Sequence, residues 1–267
     1  MNNQLINNPT IGSDIEFFLQ HKETKEFVSA EGLIQGTKYD PYQFDPKNPW
    51  FMTSLDNTSA EGNIPPAKTA HEFFKSVEKL RAYINSTIPK DLTTTCIPSV
   101  RFNEKYLQTE NAKIFGCESS INCWTLEDVK PEPTGDNLRA IGKHIHVGYE
   151  NPSEESNYNI AKAMDLFLGV PAVLIEPDNE RKAVGYGCAG NMRHKSYGME
   201  YRVLSSHFAS SKDLIKYSFK NTMKAIKFIN SGKMNTISFR GKEIQEIINN
   251  NDKKGAIALC KEFKISL

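Results

Sequence analysis

Gly198-Met199-Glu200-Tyr201-Arg202-Val203-Leu204-Ser205-Ser206 alternates in a way that folding alone does not explain. Read as a strand, it sends Met199, Tyr201 and Val203 to one side and Glu200 and Arg202 to the other. The apolar side suits a core. An acid and a guanidinium together on the opposite side suit solvent or a charged ligand. Asp14-Ile15-Glu16-Phe17 and His144-Ile145-His146-Val147 repeat the design. The three stretches predict strands that line one site for metal ions and phosphate.

Around them, the 267 residues hold 39% hydrophobic and 24% charged residues, within the range of a globular chain with a sizeable core. A formal net charge of +1 gives no reason to expect nucleic acid or a membrane as partner. No apolar run approaches the roughly 18 residues that span a bilayer, and Met1-Asn2-Asn3-Gln4-Leu5 does not open like a secretory signal. The 5 cysteines are irregularly spaced, which reads as reduced thiols in a cytoplasm.

In chain order, residues 11–20 read as a strand, with a hairpin through Lys22–Lys25 into 26–30. Glycines and prolines mark 32–50 as a loop. A strand-like stretch follows, and Pro65-Pro66 is expected to stop its pairing or to place it at an edge. Thr69 to Asn85 is a helix with Phe73, Phe74, Val77, Leu80 and Ile84 on one stripe; Thr69 and Glu72 form a capping box. Residues 92–102 are extended and 131–137 a loop. His144 to Tyr149 is a strand, and Asn157 to Leu168 a helix expected to end at Gly169 with Pro171 behind it. Lys212 to Asn230 is a further helix, with two short ones around 242–250 and 253–264. Strands without βαβ alternation predict an α+β fold, mainly antiparallel, with helices packed on one side.

Four groups of residues carry chemistry. Asp14 and Glu16, two apart, place their carboxylates on one strand face, which suits a cation such as Mg²⁺ between like charges or a solvated face of ordinary acids. His144 and His146 do the same with imidazoles. These suit a metal or an anion, or simple core histidines, but lack the companions of a structural zinc site. Arg181, Lys182, Arg193, His194, Lys195 and Arg202 surround the run Gly185-Tyr186-Gly187-Cys188-Ala189-Gly190. That composition suits phosphate or, equally, a flexible turn with a solvated basic face. Asp56 and Glu61, five apart, fall on opposite faces of a regular strand and meet only if Asn57-Thr58-Ser59 turns.

The order GSDIE, GTKxxP, Asp56, Glu61-x-Asn63-Ile-Pro-Pro-Ala, FGCE, GKHIHVG, RKxxxYGxAGxxR and YGxEYRVLSS resembles the phage-type carboxylate–amine ligases of the glutamine synthetase and glutamate–cysteine ligase superfamily. The resemblance covers roughly residues 11 to 210 and does not reach the C-terminal part. It implies a curved, mainly antiparallel sheet forming a funnel-like half-barrel with helices outside. Residues 1–210 would be the catalytic core and 211–267 a helical segment packed on the same domain.

The resemblance also implies ATP and Mg²⁺ as cofactors and an acyl phosphate that an amine converts to an amide. The acid and the amine would be small molecules, peptides or proteins, met in the cytoplasm of a phage-infected bacterium. Asp14, Glu16, Asp56, Glu61, Glu200 and one of His144 and His146, the latter favoured, match metal ligands. Arg181, Lys182, Tyr186, Arg193 and Arg202 match nucleotide contacts, with Arg193, Glu200 and Arg202 nearest the chemistry. Departures are Arg181-Lys182 for a double arginine, His207-Phe208 for Phe-Trp, and Asp56-Asn57 for Asp-Gly. A metal-dependent amide hydrolase and a silent binding protein are the other readings.

Overall fold

The computed structural model describes residues 5–113, 119–130, 137–178 and 180–267. The FGCE motif at Phe115–Glu118 and most of the loop expected at 131–137 lie outside them.

The strands are β1 (Thr10–His21), β2 (Phe27–Val28), β3 (Tyr42–Gln43), β4 (Met52–Asp56), β5 (Ser59–Ala67), β6 (Leu92–Thr95), β7 (Ser99–Arg101), β8 (Ser120–Asn122), β9 (Asp128–Val129), β10 (Leu138–Ala140), β11 (Lys143–Gly148), β12 (Asn191–Lys195) and β13 (Gly198–Tyr201). The helices are α1 (Ala70–Thr87), α2 (Glu110–Lys113), α3 (Glu154–Met164), α4 (Val170–Ile175), α5 (Glu180–Ala183), α6 (Lys212–Asn230), α7 (Asn235–Ser238), α8 (Gly241–Asn249) and α9 (Lys253–Glu262). The main sheet runs β3-β4-β5-β1-β11-β13-β12-β8-β9, with β2 and β6 on the far end of β1 and a separate β7–β10 pair. Its pairings are antiparallel. The fold is therefore α+β, with an open, mainly antiparallel sheet.

One face of the sheet is apolar. Ile11, Ile15 and Phe17 of β1, Ala60 and Ile64 of β5, Ile145 and Val147 of β11, and Met199 and Tyr201 of β13 are all buried in one core. Onto that face pack α1, through Phe73, Val77, Leu80 and Ile84, and α6, through Ile215, Phe219, Ile226 and Ile229. The capping box of α1 is present, with Thr69 and Glu72 each satisfying the other's backbone N–H. Helix α1 lies so close to β5 that a Cβ on Gly62 would come within 2.3 Å of Leu80 Cδ1. Helices α8 and α9 extend the same core through Ile244, Ile248, Ala256 and Leu259.

Two expectations fail locally. Strand β5 continues through Pro65-Pro66 to Ala67. The register against β1 slips between Ile11 and Ser13, and the prolines occupy that irregularity, where ladder donors are not required. The helix expected to stop at Gly169 runs on. A π-helical turn, Asp165–Gly169, joins α3 to α4 and accommodates Pro171 within the continuing helix. Gly169 is small for packing: a Cβ there would lie 2.7 Å from Ile248 Cδ1 and 2.9 Å from the Tyr201 hydroxyl. The continuous helix Glu154–Ile175 is long and apolar enough to cross a membrane, contrary to the expectation of no such run; 72% of its most apolar window is buried inside this fold.

Candidate active site

Register decides which side chains share the polar face, because residues directly opposite in an antiparallel pair point the same way. Asp14 opposes His144 and Gly12 opposes His146; His146 in turn opposes Glu200, which opposes Arg193. On the other flank Glu16 opposes Glu61, and Glu61 opposes Ser54. Asp56, two residues beyond Ser54, therefore joins them. The turn between β4 and β5 supplies the odd residue, with Asn57 at φ +54°. Asp14, Glu16, Asp56, Glu61, His144, His146, Glu200 and Arg193 thus project from one face, opposite the core.

Asp14 is the hub of one half. Its Oδ1 lies 2.9 Å from His144 Nδ1 and its Oδ2 3.3 Å from His146 Nε2. Burial works to raise the Asp14 carboxyl, but the two imidazoles outweigh it and hold it well below its usual range. His146 is raised, because the Asp14 charge overcomes the effect of burial. His144 is lowered by burial and by the Arg202 charge.

Glu200, 1% exposed, lies 3.5 Å from His144 Nδ1, 3.7 Å from Arg193 Nη1 and 2.8 Å from Lys195 Nζ, and accepts a short hydrogen bond from Arg202 Nη1. Burial opposes its ionisation, yet Arg202 and the histidines bring it to about 2.

Ligand atoms of Asp14, His146 and Glu200 lie within 4.8 Å of one another. Asp14 Oδ1, His146 Nε2 and Glu200 Oε2 are all buried, and none has a well-directed hydrogen bond. Buried polar atoms are rarely left so. Two hard carboxylate oxygens and an imidazole nitrogen facing one point are the donor set of a divalent cation. The residues fit Mg²⁺ or Mn²⁺.

The other half is acidic. Glu16 accepts from the Gly142 N–H at 2.5 Å and from the Tyr186 hydroxyl at 3.2 Å, and that hydroxyl lies 2.9 Å from His144 Nε2. Burial and the charge of Asp56 raise Glu16 to about 8, against the pull of the Gly142 N–H. Glu61, bonded to Ser54 Oγ, is raised well above its usual range by burial and by Asp56, Asp14 and Glu16. These acids would hold a second cation.

Arg181 and Lys182 do not join this face, although both were expected to meet a nucleotide. Arg181 is fully buried; it donates to the Val203 and Leu204 carbonyls at 3.0 and 3.2 Å and lies 3.6 Å from Glu176. Lys182 donates to the Ile248 carbonyl of α8 at 3.0 Å. The glycine run is a packing device: a Cβ on Gly187, whose φ is +74°, would meet Arg181 Nη2 at 2.5 Å. Tyr186 stands among the metal-type ligands. Arg193 and Arg202 lie on this face, against Glu200.

From the sequence, Lys195 is named only as one of the basic residues around the glycine run, and Tyr197 is not singled out. The i, i+2 spacing of Arg193 and Lys195 on β12 is the signal that places Lys195. Tyr197 sits in the β12–β13 turn and contacts His146 Nδ1 at 2.6 Å. Beside them a cavity of about 210 Å³ opens, walled by Gly12, Trp50, Met52, Pro66, His146 and Tyr197.

A family model described as "Phage phiEco32-like COOH.NH2 ligase-type 2" matches residues 137–254. That match takes in β11 to β13 and, contrary to expectation, most of the C-terminal helices. No curated protein matches. Among solved structures, a bifunctional glutathione synthetase from Pasteurella multocida is 10% identical, with 96% of this chain and 49% of that chain covered and a TM-score of 0.41. A GmaS/ADP complex is 13% identical, covering 97% and 70%, with a TM-score of 0.40. A novel glutamine synthase homolog is 11% identical, covering 95% and 66%, with a TM-score of 0.38. The chain spans about half the length of the first of these. The family model matches the part of the chain that supplies His144, His146, Arg193, Glu200 and Arg202. Over residues 137–254 the chain is thus similar to the phage-type carboxylate–amine ligases.

Proposed function

We propose that the protein is an ATP- and Mg²⁺-dependent ligase that joins a carboxylate to an amine through an acyl phosphate. The observation that carries this reading is the meeting of Asp14, His146 and Glu200, with their unsatisfied buried atoms, beside Arg202, Arg193 and Lys195. A bare hydrolytic metal site has no need of three cations around one of its acids.

In the proposed reaction, a substrate carboxylate oxygen attacks the γ-phosphorus and ADP leaves. The amine nitrogen then attacks the acyl carbon, phosphate leaves, and the amine proton passes to a base. Bound Mg²⁺ would neutralise the triphosphate, with Asp14, His146 and Glu200 holding one ion and Glu16, Glu61 and Asp56 another. Arg202 and Arg193 stabilise charge on the transferring phosphoryl group. Lys195 shares Glu200 with them and is free to turn toward phosphate once a cation takes its place. The 210 Å³ cavity between Trp50 and Tyr197 has the size and the aromatic lining for a nucleobase.

Residues 1–210 read as the catalytic core and 211–267 as a helical segment on the same domain, a reading supported by their shared apolar core. The family description and the free thiols Cys96, Cys123, Cys188 and Cys260 support a phage protein acting in its host's cytoplasm on small-molecule, peptide or protein substrates.

The test uses ATP, Mg²⁺, a bacterial extract and hydroxylamine, which traps acyl phosphates as hydroxamates. Stoichiometric ADP and hydroxamate support the reading. Amide hydrolysis without ATP consumption would replace it with the hydrolase.

A further inference from the structure

On the apolar side of the sheet, away from Glu200 and Arg202, the C-terminal helices leave a cavity of about 480 Å³, a size that takes one small molecule. Its floor is aromatic. Phe167 lies in the π-helical turn, Phe228 in the last turn of α6 and Phe263 just past α9. Their rings meet edge to face in a chain, with centroids 5.4 and 6.2 Å apart. Phe228 and Phe263 are only half-buried, so the floor offers apolar surface that the fold itself does not cover.

The rim is basic. Lys233, Arg240 and Lys264 line it together with Glu262. Arg240 is committed within the chain: it donates to Glu243 at 2.7 Å and to Glu262 at 2.6 Å, and lies 5.9 Å from the Phe263 ring. Lys233 and Lys264 are not. Among the described residues neither ammonium has an acidic partner. Nor do the helix ends require them, because carbonyls in the last turns of α6 and α9 accept from the N–H groups of Ser231, Gly232, Phe263 and Ile265. Lys264 also holds φ at +54°, the left-handed backbone that glycine usually takes just past a helix. A lysine in that place carries strain and puts an ammonium at the cavity.

Two like charges beside bare aromatic rings complement a ligand that has an anionic head and an apolar body. The wider surroundings agree. Residues 211–267 hold more than twice as many basic as acidic side chains, which the net charge of +1 for the whole chain conceals. We infer that this cavity is a second ligand site, taking a small organic anion whose carboxylate, phosphate or sulfonate is held by Lys233 and Lys264 while its aromatic or aliphatic body lies on Phe228 and Phe263.

The probe is anilinonaphthalene sulfonate, compared with phenylnaphthylamine, which has the same rings and no charge. Fluorescence titration of the full chain with the sulfonate should saturate, and the neutral amine should bind about tenfold or more weakly, the scale of losing charge-assisted contacts. Lys233→Glu combined with Lys264→Glu should weaken sulfonate binding by about tenfold or more. Thr236→Trp, which fills the cavity without touching its charges, should weaken both probes. Trp50→Ala, at the cavity beside His146, should change neither. Unsaturable binding, equal affinity for the two probes, or full affinity in the charge-reversed protein overturns the inference. Loss of binding in Trp50→Ala instead assigns the probe to the other cavity and overturns it as well. A dimer in sedimentation that the charge reversal dissociates gives the groove to a second copy of the chain, with the same consequence. Both lysines are exposed, so the charge-reversed protein should keep its thermal midpoint. Should it fail to fold, Thr236→Trp decides alone: unchanged sulfonate affinity there overturns the site.

Discussion

Glu16 and Glu61 stand directly opposite each other across the β1–β5 pairing, both on the polar face, with Asp56 close by. Both carboxyls are raised, Glu16 to about 8. A raised acid means that the native state binds more protons than the unfolded chain. The contribution is therefore full below the ordinary value of 4.5 and is lost as pH rises toward about 8. In the metal-free protein, the difference in thermal midpoint between wild type and Glu16→Gln should shift against wild type from pH 5.5 to pH 8. At pH 7, Mg²⁺ binding should release protons, seen as a dependence of the binding enthalpy on the buffer. Binding without proton release would contradict the assignment of this acidic pair.

Glu200 and Arg202 are tied together within a layer of other charges. Glu200→Gln keeps the shape but removes the charge that Arg202, Arg193 and Lys195 share. ATP-dependent turnover should fall by about two orders of magnitude or more, the scale of losing a group that organises transition-state charge. Arg202→Ala should lose activity too, and also about 3–5 kcal/mol of stability, because it leaves Glu200 buried with its main partner gone. Rapid-quench assays and denaturant melts separate the two effects. Full activity in both variants would remove these residues from the site.

Trp50 is 53% exposed at the cavity beside His146. If a nucleobase enters there, Trp50→Ala should raise the KM for ATP about tenfold, in line with roughly 1–3 kcal/mol for base stacking, and leave kcat nearly unchanged. Steady-state kinetics decides. A fall in kcat at unchanged KM would place the base elsewhere.

Gly62 and Leu80 set how closely α1 approaches the sheet. Gly62→Ala should destabilise by about 1–3 kcal/mol, the usual cost of overpacking a core. Adding Leu80→Val should recover part of that in urea unfolding. Additive losses would show that the two positions do not touch.

Much of the site was readable because strand alternation is local. Asp14 with Glu16, His144 with His146, and Glu200 with Arg202 each sit two apart, and the sheet register brings the pairs together. The helical stripes of α1 and α6 were equally plain. What escaped depends on distant partners. Arg181 and Lys182 have the composition of a phosphate site, yet their donors are used by carbonyls more than twenty and sixty residues away, at Val203, Leu204 and Ile248. Pro65-Pro66 and Pro171 are breakers by type, but a register slip and a π turn accommodate them. Asp56 and Glu61 could not be placed by parity until the turn at Asn57 was known.

Strand β1 lies between β5 and β11 and carries Asp14 and Glu16 at the middle of the sheet. The residues nearest the start of the described chain thus find their partners at His144, His146 and Glu200, across most of its length. Such non-local closure is slow, because chain entropy is lost before the contacts form. The proposed cation site should accordingly be completed late in folding. Nascent chains lacking β13 would present the acids of β1 without their counter-charges, so metal competence should arise only when synthesis has passed Arg202.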